Sequence, residues 1–200
     1  MAVSQALVPH LPVPTVEREG DRYSLAYDRP GTIGKVRGFY GNFGMLVRAL
    51  AYIRSLGRDG LKSMAEGAVL NANYLRVRLK DDYHLQYDGP SLHEVVFDDA
   101  IQAASGVKNV DIAKRLLDYG FHPPTMSFPL IVHGALMIEP TESEGIDELD
   151  AFVAAMKAIA REARDEPELV RGAPYSTPVQ RLDEVRAARQ PVLRWRRPDD

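Results

Sequence analysis

A proline-rich stretch at residues 116–144 constrains the fold of this chain more than any other part of its sequence. Its first residues predict the end of a helix at Gly120, because glycine adopts the left-handed conformation of a helix end at the least cost. The next three residues, His122-Pro123-Pro124, cannot continue a helix, since proline has no amide donor. Residues 125–129 and 135–138 are short apolar runs of strand length. The stretch therefore predicts the end of one helix followed by two strands.

A long helix is predicted after these strands. Thr141 and Glu144 have the spacing of a capping box, in which a hydroxyl and a carboxylate three residues later bind the free amides of a helix start. The apolar residues beyond them recur at intervals of three and four, as in an amphipathic helix. They are Ile146, Leu149, Phe152, Val153, Met156, Ile159, Ala160 and Ala163.

The first quarter of the chain combines strands with an apolar helix. Residues 15–17 and 22–27 alternate polar and apolar side chains and predict a β-hairpin. A helix is expected at residues 45–56, with Asn42 as its N-cap and Gly57 as its end.

The middle of the chain repeats this mixture. An apolar stripe predicts a helix at residues 61–79. Two strands are expected at 84–87 and 92–97 around a turn at 88–90, followed by a helix that starts at Asn109. This order of elements predicts an α+β fold, in which an antiparallel sheet carries helices on one face.

Composition excludes several classes of protein. The 200 residues contain 45% hydrophobic and 26% charged residues, with a formal net charge of −3, so neither nucleic-acid binding nor disorder is indicated. No apolar run is long enough to span a bilayer, and the N-terminus lacks the pattern of a signal peptide, so we expect no membrane contact and a cytoplasmic protein. The absence of cysteine excludes disulfides and thiol chemistry within these residues.

The side chains that carry chemistry form no known motif by spacing alone. The five histidines lack the spacing of a metal-binding helix, and no metal site is expected. His93 is followed by Glu94, but neighbouring side chains on a strand point to opposite faces, so this step is weak evidence for a catalytic pair. Glu139 and Glu142 suggest paired carboxylates, although nothing in the sequence indicates burial or a shifted pKa.

Several stretches together resemble one enzyme family, the glycine cleavage system P-protein. This is the pyridoxal-phosphate-dependent glycine dehydrogenase (decarboxylating), and the resemblance is to the C-terminal part of subunit 2 of its two-subunit form. The matching stretches lie in the same order and cover nearly the whole chain. They are LPVPTVE (residues 11–17), YGN (40–42), LNANYL (70–75), YGFHPPTMS (119–127), MIEPTESE (137–144) and RLDEVRAAR (181–189).

The resemblance implies a fold and an activity. It implies the small C-terminal domain of a fold-type-I, aspartate-aminotransferase-like enzyme at residues 58–172. Residues 1–57 would be the end of the large domain with its connecting helix, and 173–200 a C-terminal tail. The implied reaction is decarboxylation of glycine on pyridoxal phosphate, with transfer of the aminomethyl group to the lipoylated H-protein. The implied partners are glycine dehydrogenase subunit 1 and a dimer mate, in a heterotetramer.

The resemblance also implies candidate site residues. Gly41 and Asn42 are candidates for the cofactor phosphate, although a helix cap and a tight turn alone would explain both residues. His122, Thr125 and Ser127 are candidates for contact with substrate or the lipoyl arm in a cleft between domains, although hydrogen bonds to backbone are the alternative.

No catalytic residue is assigned within the 200 residues. The family's Schiff-base lysine lies in a His-Lys motif, and no such pair occurs here. We therefore expect the chain to be inactive without the segment that carries this lysine.

Two alternatives to this interpretation remain open. One is a non-catalytic α+β module that binds another polypeptide, and the other is a truncated gene product. The segment after residue 173 is basic, with a short helix expected at 182–189. It ends near the only tryptophan, in Pro191-Val192-Leu193-Arg194-Trp195, an apolar segment that we expect to bind a surface.

Overall fold

The structure is a computed structural model that describes residues 3–195 and residue 197. The chain divides into two compact units, Met1–Gly57 and Arg58–Asp200.

The first unit has little core of its own. It contains a 3-10 turn at Gln5–His10 and an antiparallel hairpin of β1, Thr15–Glu19, and β2, Arg22–Ala26. This confirms the predicted hairpin. Among the described residues of this unit, Val13 is the one buried hydrophobic residue. The hairpin and the helix that follows it therefore leave most of their apolar side chains exposed.

Helix α1, Phe43–Leu79, is interrupted at Gly57, where φ is 63° and ψ is −167°. Only glycine adopts this conformation readily, so the predicted end of the first helical segment at Gly57 is confirmed. At the start of the helix, the amide of Met45 donates to Oδ1 of Asn42 over 3.4 Å, which confirms Asn42 as the N-cap residue.

The second unit is built on a three-stranded antiparallel sheet. Its strands are β3, Val95–Asp98, β4, Thr125–Met126, and β5, Ala135–Ile138, in the order β3-β5-β4. Val95 pairs with Ile138 and Phe97 with Leu136, and all four side chains are buried. Side chains alternate along a strand, so these pairs present one apolar face to the core.

Helices supply most of the rest of this core. The helices of this unit are the second segment of α1, then α2, Ala100–Ala103, α3, Asn109–Asp118, α4, Ile146–Asp165, α5, Pro167–Gly172, and α6, Glu184–Arg189. Among them, α2 and α6 add no residue to the core cluster. Leu75 and Leu79 of α1, Ile112 of α3 and Met156 of α4 are all buried in one cluster with the sheet residues. The predicted α+β fold with an antiparallel sheet is confirmed.

The strand predicted at residues 84–87 is wrong. The segment makes only an isolated antiparallel bridge between His84 and Asp98. It is held instead by side chains, since Nδ1 of His84 lies 2.7 Å from Oδ2 of Asp98. The strand predicted at 92–97 is displaced to Val95–Asp98, because Ser91 is bound to the side chain of Asn73 before the strand begins.

The strand predicted at residues 125–129 is shorter than expected. It ends at Met126, because Ser127 has a φ of 57° and turns the backbone out of the sheet. Its amide still donates to the carbonyl of Ala135 over 2.9 Å, which closes the connection between β4 and β5.

The predicted capping box at Thr141 and Glu144 is also wrong. Helix α4 begins at Ile146 with Gly145 at the N-cap position. The hydroxyl of Thr141 lies 2.7 Å from that of Ser143 instead. The physical reason lies on α1, where the side-chain amide of Asn71 donates to the carbonyls of Thr141 and Glu144 and holds these residues in a separate turn.

The chain after α5 is attached to α3. The amides of Tyr175 and Ser176 both donate to Oδ1 of Asp118 over 2.7 Å. Arg181 donates to the carbonyl of Ala173 and pairs with Asp111 at 2.8 Å. The basic segment is therefore fixed as far as residue 181, and helix α6 follows within the predicted 182–189.

Candidate functional site

An open groove of about 410 Å³ lies within the second unit beside strands β4 and β5, and we call it the β4–β5 groove. Residues from α1, the segment after α3, both strands and the start of α4 line it. They are Leu75, Phe121, His122, Pro123, Pro124, Thr125, Met137, Ile138, Glu139, Pro140, Glu144, Glu148, Leu149 and Phe152.

A tight helix end places His122 in this groove. Gly120, with φ of 83°, allows the amide of Phe121 to donate back to the carbonyl of Leu116, as in a Schellman motif. This confirms the predicted helix end. The ring of Phe121 packs edge-on against Phe152, with centroids 5.3 Å apart. Nδ1 of His122 lies 2.9 Å from the carbonyl of Pro123, and since a carbonyl only accepts, Nδ1 is the donor of this hydrogen bond.

The asparagines of the LNANYL stretch hold the loops beside the groove. Asn71 binds the turn at 141–144, as described above. Asn73 donates to the carbonyls of Val69 and Ser91, and its Oδ1 accepts the amide of Ser91 over 3.0 Å. Two of the stretches that carry the family resemblance, LNANYL and MIEPTESE, are therefore joined by direct hydrogen bonds.

The groove is acidic at its edge and apolar at its base. Glu139, Glu144 and Glu148 are exposed, and no lysine or arginine is among the described residues that line it. Oε1 of Glu139 lies 3.5 Å from Nε2 of His93. Both residues line a second groove that borders α1. These two residues are 46 positions apart, so sequence spacing alone did not reveal the pair. The charge of the groove disfavours an anionic ligand and favours a neutral or cationic one.

The structure separates the three residues predicted to line a cleft. His122 and Thr125 both line the β4–β5 groove, but Ser127 is not among its lining residues. The hydroxyl of Ser127 accepts a hydrogen bond from Nδ2 of Asn109 over 3.1 Å. The same Nδ2 also binds the carbonyl of Ala135, and the amide of Asn109 donates to buried Asp99 over 2.7 Å. Ser127 thus belongs to a polar network that holds the β4–β5 connection.

Gly41 and Asn42 lie in the first unit. Gly41 has a φ of 88°, and Cδ of Arg37 lies 3.4 Å from the position that a side-chain carbon would take there. The amide of Gly41 donates to the carbonyl of Gly38 over 3.1 Å. The first amides of a helix have no partner within the helix, so the start of α1 provides backbone donors. The side chain of Arg37 adds a guanidinium group beside them.

A charged cluster ties α3, α4 and the C-terminal segment together. Burial favours protonation of Asp118, but the hydrogen bonds from Ser176, Tyr175 and Arg115 outweigh it and hold its pKa below the ordinary value. Burial likewise opposes ionisation of Glu162, but Arg115 and Tyr119 lower its pKa. Arg115 donates to both oxygens of Glu162, at 2.9 and 3.0 Å. These groups are all paired with each other, which indicates a structural role.

Other kinds of site are not found in the part of the chain that the structure describes. Within residues 3–195 and 197, no three histidine or acidic side chains are grouped closely enough to hold a metal ion. Over the same residues, no helix has both the length and the apolar character needed to cross a membrane.

Comparison with known proteins identifies the second unit. Residues 64–172 match the family described as glycine dehydrogenase, C-terminal domain. Among curated proteins, the probable glycine dehydrogenase (decarboxylating) subunit 2 of Caldanaerobacter subterraneus subsp. tengcongensis is 54% identical over 195 residues. The protein of the same name from Listeria innocua is 52% identical over 197 residues. Each match includes 98% of this chain, and the chain spans about 40% of the length of these relatives.

A solved structure shares the fold. The crystal structure of glycine decarboxylase (P-protein) of the glycine cleavage system, in inhibitor-bound form, superposes with a TM-score of 0.64 at 20% sequence identity. The match covers 78% of this chain and 37% of that chain. At this identity the likeness supports the fold, and the sequence match supports the family. From the match over more than half of its residues, the chain belongs to the glycine dehydrogenase C-terminal domain family.

Proposed function

We propose that this chain forms the C-terminal part of a glycine dehydrogenase (decarboxylating) subunit 2 and takes part in the glycine cleavage reaction. In that reaction glycine loses carbon dioxide and its aminomethyl group passes to the lipoylated H-protein. The observation that carries the proposal is the alignment of 98% of the chain with curated subunit 2 proteins at 54 and 52% identity.

The exposed surface of the first unit supports the view that the chain works as part of a larger assembly. Phe43, Leu46, Leu50 and Ile53 form an apolar stripe along the first segment of α1, and each is between 49 and 71% exposed. An independent domain normally buries such a stripe. The first unit is therefore proposed to pack against the remainder of the enzyme, which opposes the alternative of a free-standing binding module.

The residues near Gly41 fit the phosphate of pyridoxal phosphate. The turn offers the guanidinium of Arg37 and the first amides of α1 to an anion, and glycine at 41 keeps the backbone accessible. We infer that Gly41 and Asn42 contribute to phosphate binding, with Asn42 acting through the helix start that it caps. When bound, pyridoxal phosphate supplies the electron-withdrawing ring that accepts the charge released by decarboxylation.

None of the six lysines lies in a His-Lys pair, so the covalent lysine is proposed to come from a separate segment.

His122 and Thr125 remain candidates for contact in a cleft. The three nearby glutamates would repel the carboxylate of glycine, so the charge of the groove supports contact with a neutral or cationic group instead. Ser127 is proposed to act indirectly, through the network that holds the β4–β5 connection.

The proposed partners follow from the family. They are glycine dehydrogenase subunit 1, a dimer mate, the lipoylated H-protein and glycine. The heterotetrameric assembly and the cytoplasmic location belong to the same proposal.

Reconstitution tests this function. The chain is combined with a polypeptide that supplies the rest of a subunit 2 relative, with subunit 1, pyridoxal phosphate, glycine and lipoylated H-protein, and carbon dioxide release is measured. We expect release only from the complete mixture. Omission of the chain, or of the supplementary polypeptide, serves as the control. Release by the chain alone, or an assembled complex without release, would contradict the proposal.

A further inference from the structure

The C-terminal segment presents an unusual apolar surface. Val192, Leu193 and Trp195 are 90, 88 and 80% exposed. Arg194 and Arg197 lie beside them, so the segment is both apolar and cationic. Exposing three large apolar side chains within four residues is unfavourable in water, and such surfaces commonly bind a partner.

The β4–β5 groove has the complementary character. Its base is formed by apolar side chains such as Leu149, Phe121 and Phe152, and its edge carries Glu139, Glu144 and Glu148. With about 410 Å³ of space, it can admit large side chains. An apolar side chain would pack against the base of the groove, and an arginine would pair with the glutamates at its edge.

The segment and the groove do not meet within one chain. None of residues 191–195 is among the residues that line the groove. The hydrogen bonds of Tyr175 and Ser176 to Asp118 and the ion pair of Arg181 with Asp111 hold the preceding segment on α3. The two complementary surfaces of one chain are therefore both available to a second chain.

We propose that residues 191–195 of one copy bind the β4–β5 groove of a second copy. Each copy carries one segment and one groove, so the exchange can be reciprocal, as in a two-fold dimer. Trp195 and Leu193 would enter the apolar base, and Arg194 would lie near Glu144 and Glu148. This proposal rests on the two surfaces and does not depend on the proposed enzymatic function.

Trp195 provides the measurement, because it is the only tryptophan in the chain. Its fluorescence emission is recorded on the full chain at low ionic strength over a wide range of concentrations, beside the mass from sedimentation velocity. We expect a blue shift that develops together with dimer formation, since the indole leaves water as the copies associate.

A charge reversal in the groove gives the decisive comparison. Glu148→Lys places a like charge opposite Arg194 and is expected to weaken the concentration-dependent shift by roughly tenfold in dissociation constant. Asp147→Lys is the matched control. Asp147 lies in the same first turn of α4 but outside the groove, so both variants lose the same helix-dipole contribution. The double variant Arg194→Glu with Glu148→Lys should restore the shift.

Three results would overturn the proposal. Emission typical of exposed tryptophan at all concentrations would show that the segment stays in water. A blue shift independent of concentration would show binding within one chain. A concentration-dependent shift that is equal in the Glu148→Lys and Asp147→Lys variants would show that the segment binds elsewhere.

Discussion

The side chain of Asn71 holds the turn at residues 141–144 in place. Its amide group reaches from α1 to the carbonyls of Thr141 and Glu144, at 2.9 and 3.2 Å. Two donors of one amide thus bind two carbonyls that precede α4, and the turn they fix borders the β4–β5 groove.

Replacing Asn71 by Ala should therefore destabilise the turn. We expect the free energy of unfolding to fall by about 1 kcal/mol, because two backbone carbonyls lose a protein donor but remain near water. Urea denaturation measures this, and hydrogen exchange should accelerate at residues 141–145. Leu70→Ala, a change at an exposed neighbour on the same helix, should stay within about 0.5 kcal/mol. An equal effect of both changes would contradict this role of Asn71.

Asp118 makes stability depend on pH in a defined direction. Its pKa is lower in the folded chain than in the unfolded chain, so its contribution is fully present above the unfolded value, near 4. The contribution is lost as the pH falls through the folded value. At pH 7, Asp118→Asn should cost about 2 kcal/mol of unfolding free energy, because hydrogen bonds to a charged acceptor are replaced by neutral ones.

The difference between wild type and Asp118→Asn should shrink as the pH is lowered from 5 to 2. Unfolding curves at several pH values measure it, and Asp165→Asn, at an exposed residue of the same charge, is the control. A difference that grows at acid pH would mean that the sign of this linkage is wrong.

At the scale of elements, the connection between β4 and β5 depends on tight backbone packing. Gly134 has a φ of 68°, and a side-chain carbon there would lie 2.0 Å from Oδ1 of Asp99. Asp99 in turn accepts the amide of Asn109 at the start of α3. One glycine thereby allows the sheet connection, the end of β3 and the start of α3 to meet.

Gly134→Ala should cost at least about 2 kcal/mol of unfolding free energy, through both backbone strain and overlap with Asp99. Gly145→Ala is the matched control, because Gly145 has a φ of −76° and open space around it, and its effect should stay within about 1 kcal/mol. Thermal unfolding followed by circular dichroism compares the two. Similar stabilities would contradict the close packing at Gly134.

The same elements show what sequence could predict. Helices α1, α3 and α4 were predictable because each keeps an apolar stripe over several turns, and Gly57 and Gly120 mark helix ends by their backbone freedom alone. Helix α2 has four residues, too few for a period to appear. The start of α4 was misplaced because Asn71, seventy residues earlier, binds the carbonyls of Thr141 and Glu144 and holds these residues in a turn before the helix.

The candidate site was predictable only in part. His122 and Thr125 share a groove because they lie three residues apart on one extended segment, whereas Ser127 is removed by a backbone turn at positive φ. Glu139 and Glu148 line the same groove, although one lies before the turn at 141–144 and the other in α4. The pairing of His93 with Glu139 depends on long-range packing, which local spacing does not contain.

At the scale of the whole molecule, the two units differ in how much of their apolar surface is buried. The second unit has a buried core and matches a family domain over residues 64–172. The first unit exposes the apolar side of its helix and buries little, which indicates that another surface covers it. This contrast supports the proposal that the chain acts only together with the rest of a glycine dehydrogenase.

Borohydride reduction in the presence of pyridoxal phosphate tests whether this chain holds the cofactor covalently. The purified chain, and the chain combined with the supplementary polypeptide and subunit 1, are each reduced and analysed by intact mass and peptide mapping. We expect no stoichiometric adduct on this chain in either sample, and one adduct on the added polypeptides in the combined sample. A single lysine of this chain labelled at full occupancy, among Lys35, Lys62, Lys80, Lys108, Lys114 and Lys157, would contradict it.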